Sequence, residues 1–172
     1  FGPNVMFRND GDGSFTDVTA ELGLAGPEQL NGCVKWSVNG IFLDYDRDGD
    51  LDLYMANYLA FDPAYVDPDL PEEYPYAGPS SYGGQASLLY RNEGDRFTDV
   101  TAEVGLLRED GKTMGANAAD FDGDGLLDLF EAVDDMQNFL FHGQPDGTFE
   151  EIAERSGAAY DGQGNSSASM HP

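Results

Sequence analysis

Apolar residues in this chain recur at alternate positions in short runs, each bounded by glycines and acids. The runs LDLYMA (51–56) and LDLFEA (127–132) open apolar–acid–apolar, a period of two that suits half-buried strands. WSVNGIFL (36–43) and MGANAA (114–119) precede them at matching distances. The first combines β-formers with a glycine, and the second consists of small residues with no apolar stripe. A second pattern occurs three times, as VMFRNDGDGSFTDV (5–18), LLYRNEGDRFTDV (88–100) and FLFHGQPDGTFEEI (139–152). Each copy reads as strand, polar Gly/Asp turn, strand, which is a β-hairpin. Aromatics fall on both arms: Phe7 with Phe15, Tyr90 with Phe97, Phe141 with Phe149. A glycine closes a short helix-like tail after each hairpin. Residues 38–60, 86–102, 114–135 and 137–153 are therefore expected to be mostly antiparallel β, with no long helix.

Between the paired strand runs lie DYDRDGDLD (44–52) and DFDGDGLLD (120–128), both of the form D-x-D-x-D-G-x-x-D. Carboxylates at every second position repel one another and resist burial unless a cation sits among them. Calcium fits best, because it takes six to eight oxygens in a tolerant geometry; magnesium prefers fewer protein ligands and keeps its waters. The expected ligands are the side chains of Asp44, Asp46, Asp48 and Asp52 with the carbonyl of Asp50 in the first loop. In the second they are Asp120, Asp122, Asp124 and Asp128 with the carbonyl of Leu126. Gly49 and Gly125 make the turns, and two calcium ions are implied. The acidic run 9–13 is assigned to hairpin-turn chemistry instead, since Asn, Asp and Gly suit positive φ.

An EF-hand is the rival framework. Glu131 stands at its twelfth position in the second loop, but Met55 stands there in the first, and neither loop has amphipathic flanks. Strand–loop–strand sites follow, and Glu131 becomes an ordinary strand residue. The order hairpin, acidic loop, hairpin, acidic loop, hairpin predicts an all-β chain: a partial β-propeller of four-stranded antiparallel blades with calcium loops. Its units are a hairpin of an incomplete blade (1–24), a full blade (25–106) with an insertion at 61–86, a second full blade (107–158), and the start of another (159–172).

The segments GCVKWS (32–37), FLDYDRDGDLDL (42–53), ANY (56–58) and ADFDGDG (119–125), with the hairpins, resemble FG-GAP/VCBS repeat proteins. The blades of those proteins are similar to integrin α-chain blades, and the nearest group is cartilage-acidic-protein-like (ASPIC/UnbV-type). The resemblance implies calcium-stabilised blades, an extracytoplasmic location, and adhesion or binding more often than catalysis. The chain departs from the pattern in its shortened second hairpin turn, in the Gly143–Asp146 turn, and in 61–86.

Composition narrows the partners. A net charge of −25 excludes nucleic acid, whose phosphates need clustered Lys and Arg, and it disfavours anionic membrane surfaces. No apolar run is long enough to cross a bilayer. Cys33 is the single cysteine, so it pairs outside this piece or is buried as a small hydrophobe, burial being preferred. His142 holds the hairpin position of Arg8 and Arg91 and reads as a strand or turn residue; His171 lies near the last residue. Zinc ligands are lacking, and no glycine-rich phosphate loop precedes a helix. The 61–86 insertion, rich in Tyr and Pro, is either a ligand-binding loop or a cover for a blade edge. A protein or carbohydrate ligand is the expected partner, beside neighbouring blades from further sequence or another chain. The competing function is an extracytoplasmic enzyme on glycans that uses the propeller as scaffold.

Overall fold

The computed structural model describes residues 2–70 and 77–166. The first hairpin pairs β1 (Phe7–Asn9) with β2 (Phe15–Asp17) and ends in the helical turn α1 (Thr19–Leu22), which Gly23 closes at φ 71°. A small ribbon follows, β3 (Gln29–Leu30) with β4 (Cys33–Val34). The first sheet has the order β5 (Ser37–Leu43), β6 (Asp52–Asn57), β7 (Leu88–Asn92), β8 (Phe97–Asp99). The second repeats it with β9 (Thr113–Ala119), β10 (Asp128–Val133), β11 (Phe139–Gly143), β12 (Phe149–Glu151), followed by the helical turn α2 (Ala153–Ser156). Every pairing is antiparallel. Both sheets are the four-stranded blades expected from the repeat, and the helices are single turns.

Alternation along β6 and β7 builds a layered core. Tyr54, Ala56 and Leu89 point to one face of the first sheet, where they meet Leu129, Val133, Phe139 and Phe141 of the second. Leu53, Leu88 and Tyr90 point to the other face and pack with Leu24, Met6 and Leu22 of the first hairpin unit. The central strands of this blade are thus apolar on both faces. The innermost strands β5 and β9 lie side by side, joined where Ala116 N donates to Asn39 Oδ1 at 3.2 Å. Phe7 and Phe15 of the two-stranded first hairpin are exposed. Their repeat partners Tyr90, Phe141 and Phe149 are buried, because a neighbouring unit packs on that face: the first hairpin unit on Tyr90, the first blade on Phe141 and Phe149.

Two expectations need adjustment. Cys33 is only partly covered: it sits on the two-residue ribbon and lines a groove with Phe61 and Pro63. Residues 159–166 run in turns, and 167–172, expected to help start another blade, lie outside the described residues; His171 lies there too.

Lys35 is fully buried, and its Nζ donates to Ala25 O at 2.9 Å. Burial pulls its pKa down to about 8, so the folded state favours neutral lysine below the unfolded value of 10.5. The unfolded chain then binds more protons between those values, and parent stability rises with pH across that window. Lys35→Met removes this dependence. Its stability relative to the parent should fall as pH rises from 8 to 10, by at most about 3 kcal/mol. Urea unfolding of both proteins across that range checks it; parallel profiles would show no cost of burying this charge.

Candidate metal centres

Each acidic loop joins the first two strands of a blade, β5 to β6 and β9 to β10. The backbone turns so tightly there that two positions per loop are left-handed. Gly49 (φ 96°) and Gly125 (φ 89°) hold the later one, as the motif requires. The earlier is Gly123 (φ 84°) in the second loop but Arg47 (φ 62°) in the first, a strained choice for a residue with a Cβ.

The loops gather the first three acids. One carboxylate oxygen each from Asp44, Asp46 and Asp48 lies within 4.8 Å of the others, and the same holds for Asp120, Asp122 and Asp124. Oxygens at about 2.4 Å from one calcium ion stand no more than about 4.8 Å apart, and each triad meets that limit for an ion of its own. In the first loop Asp44 Oδ1 is buried and has no hydrogen-bond partner among the described residues. An orphaned carboxylate oxygen beside two further carboxylates is the surface a cation would complete. In the second loop Asp120 turns onto its own backbone instead. Its Oδ1 accepts from Gly123 N (2.7 Å) and Asp124 N (3.1 Å), and its Oδ2 from Gly125 N (2.9 Å). Asp50 N and Leu126 N donate to Asp48 Oδ1 and Asp124 Oδ1, both at 2.8 Å, which brings residues 50 and 126 round beside the triads.

Both ninth acids accept hydrogen bonds from backbone N–H groups, and Asp128 has a carboxylate oxygen within 4.8 Å of one of Asp122's. Asp52 does not join the Asp44–Asp46–Asp48 group. It is buried at the start of β6, where Oδ2 accepts from Tyr45 N (3.2 Å) and Oδ1 from Asn92 N (2.8 Å). Burial lifts its pKa to about 6, against those two hydrogen bonds and with help from the charges of Asp46 and Asp48. Asp128 repeats the arrangement: Oδ2 accepts from Phe121 N (3.0 Å) and Oδ1 from Gly143 N (3.0 Å). Both ninth acids therefore clamp the loop to the third strand of the blade. Position nine has this second use because β7 and β11 pass alongside it, a register that spacing within the loop does not reveal.

His142 does occupy a strand position, in β11. The β10–β11 register sets Leu129 opposite Phe141 and so brings His142 beside Asp128. Its Nδ1 lies 2.9 Å from Asp128 Oδ1 and 3.7 Å from Asp122 Oδ2, and its Nε2 lies 3.8 Å from Asp124 Oδ2. The hydrogen bond to Asp128, then the surrounding negative charge, raise its pKa. Arg91, the equivalent in the first blade, instead binds Glu93 at 2.8 Å.

Glu131 is a strand residue as expected, but a buried one. On β10 it faces the first blade, where it accepts from Tyr54 OH, while Thr113 Oγ1 donates to its Oε2 at 3.0 Å. The insertion divides into two parts. Near its end Gln85 is buried, its side chain accepting from Trp36 N (2.8 Å) and donating to Leu30 O and Val34 O. Further out, Phe61, Asp62, Pro63, Tyr65, Val66, Ala77 and Tyr82 line a cleft of about 420 Å³. The rings of Phe61 and Tyr82, and of Tyr65 and Tyr82, stand 5.3 and 5.5 Å apart at steep angles.

Two repeated four-stranded blades, each with an acidic loop between its inner strands, define a repeat protein of the β-propeller class. The FG-GAP-like repeat model matches residues 77–131 and 120–170, two stretches that overlap on the second acidic loop. The chain belongs to the FG-GAP-like repeat family. It is also similar to cartilage acidic protein 1 of Homo sapiens and of Mus musculus, each 26% identical over 165 residues, covering 74% of this chain and 24% of the relative. The Xenopus tropicalis protein of that name is 24% identical over the same span. The chain thus spans about a quarter of the length of these relatives. The resemblance drawn from the hairpins and acidic loops is borne out. Among the described residues no helix is long and apolar enough to cross a membrane.

Proposed function

We propose that this chain is a calcium-binding β-propeller repeat region of a secreted or surface protein, serving adhesion or ligand recognition rather than catalysis. The observation that carries the proposal is the pair of equivalent carboxylate triads, one with a buried, unpartnered Asp44 Oδ1. Extracellular calcium modules work at millimolar ion levels, which suits low-affinity loops of this kind and an extracytoplasmic location. The ligand surface is the aromatic cleft of the insertion, whose tyrosines offer broad amphipathic contact to a protein or carbohydrate. With a net charge of −25, neither nucleic acid nor insertion into a membrane enters this function.

Titration calorimetry tests the metal assignment. The parent is expected to bind two calcium ions. Asp46→Ala should lose the first site and Asp122→Ala the second. Asp146→Ala should leave the count unchanged, since Asp146 caps an exposed hairpin turn by accepting from Thr148. Two intact sites in the Asp46→Ala protein, or none in the parent, would defeat the assignment.

A further inference from the structure

We infer that the second acidic loop is a mixed nitrogen–oxygen site, in which His142, Asp122 and Asp128 hold a zinc-like transition metal in competition with calcium. The first loop has no such capacity. The inference rests on the loops being cation sites and goes further, assigning the two loops different metals.

The geometry is that of one coordination sphere. His142 Nδ1, Asp122 and Asp128 offer ligand atoms that all lie within 4.8 Å of one another. Two donors each about 2.1 Å from one zinc ion at the tetrahedral angle stand about 3.4 Å apart. The separations from Nδ1, 2.9 Å to Asp128 Oδ1 and 3.7 Å to Asp122 Oδ2, straddle that value. Small side-chain shifts suffice to equalise them.

The donors are also held in place. Asp128 is buried and fixed by Gly143 N and Phe121 N, so its carboxylate needs no reorganisation to present an oxygen. His142 is carried on β11 between the buried residues Phe141 and Gly143. Its second nitrogen, Nε2, faces Asp124 Oδ2 at 3.8 Å.

Metal choice follows from donor chemistry. Imidazole nitrogen suits zinc, copper, nickel and iron, whereas calcium takes oxygen. Asp122 belongs to both groups and cannot serve two ions fully at once, so one ion excludes the other. The first blade places Arg91 where the second has His142; a guanidinium stays protonated and offers no lone pair. The internal repeat therefore contains its own control.

The test uses the full chain uniformly labelled with ¹⁵N-histidine. Zinc titration should shift the Nδ1 resonance of His142 to the metal-bound position, and cobalt(II) should give visible absorption bands of nitrogen ligation. His142→Gln should abolish both signatures and weaken zinc binding about tenfold or more. Calcium titration of that variant should still give two sites, which shows that it is folded. Zinc that binds the parent and His142→Gln equally, or without an imidazole shift, overturns the inference. If neither loop takes calcium yet zinc still shifts His142, the mixed site stands and the calcium assignment falls.

Discussion

Tyr54→Ala is expected to be the most damaging single substitution in the core, at about 4 kcal/mol or complete loss of folding. Tyr54 is 1% exposed at the centre of the layer between the two blades, beside Leu89, Leu129 and Phe139. Removing its ring opens a cavity between two sheets that cannot close without moving one of them. The substitution also strips Glu131 of its hydrogen bond from the tyrosine hydroxyl, leaving a buried carboxyl with Thr113 alone from that pair. Tyr54→Phe separates the two effects. It keeps the packing and should cost about 1–3 kcal/mol through the lost hydrogen bond.

The pH dependence gives a second readout of the same contact. Burial raises the pKa of Glu131 above its ordinary value of 4.5, so the folded state holds a proton that the unfolded chain releases. The stability linked to that proton is complete below 4.5 and lost as pH rises through the folded value. Glu131→Gln should therefore gain on the parent as pH rises above 4.5. Equal slopes in the two proteins, measured by urea unfolding at a series of pH values, would show that Glu131 keeps its charge at no cost.

The apolar–acid–apolar start Leu51, Asp52, Leu53 made the β6 strand legible, and repetition made the blades legible, because both depend only on local periodicity. The acid triads were legible for the same reason: residues two apart in a tight loop meet whatever surrounds them. The partners of Asp52 and Asp128 were not, since the N–H groups of Asn92 and Gly143 that engage them lie far along the chain. His142 carries the same lesson. Its place in the repeat was readable as equivalent to Arg91, but its nearness to Asp122 depends on the β10–β11 register. The burial of Lys35 and Glu131 gave no signal, because charged residues at strand positions ordinarily face solvent. Arg47 shows the limit at the backbone level. Comparing the two loops sets it against Gly123, and that mismatch was the available sign of a left-handed position.

Removing calcium should lower the melting temperature by roughly 10–20 °C. On the two-site assignment, each ion at a hundredfold excess over its dissociation constant stabilises the folded chain by about 2.7 kcal/mol. For a chain of this size each kcal/mol moves the transition by about 2–4 °C. Without the ions, each triad sets three carboxylates within 4.8 Å of one another on a chain already at −25, and that repulsion favours the open state. Chelation followed by millimolar calcium should restore the transition, and magnesium should restore less of it, since it resists giving up its waters to a carboxylate cage. Sodium chloride at matched ionic strength separates site binding from screening. Salt weakens the mutual repulsion of exposed acids but cannot coordinate Asp44 Oδ1, so it should recover only part of the loss. In the Asp46→Ala protein the calcium-dependent rise should shrink to about half. A melting temperature that ignores chelator, or that sodium chloride restores as fully as calcium does, would mean that the acidic loops are solvated turns and not metal centres.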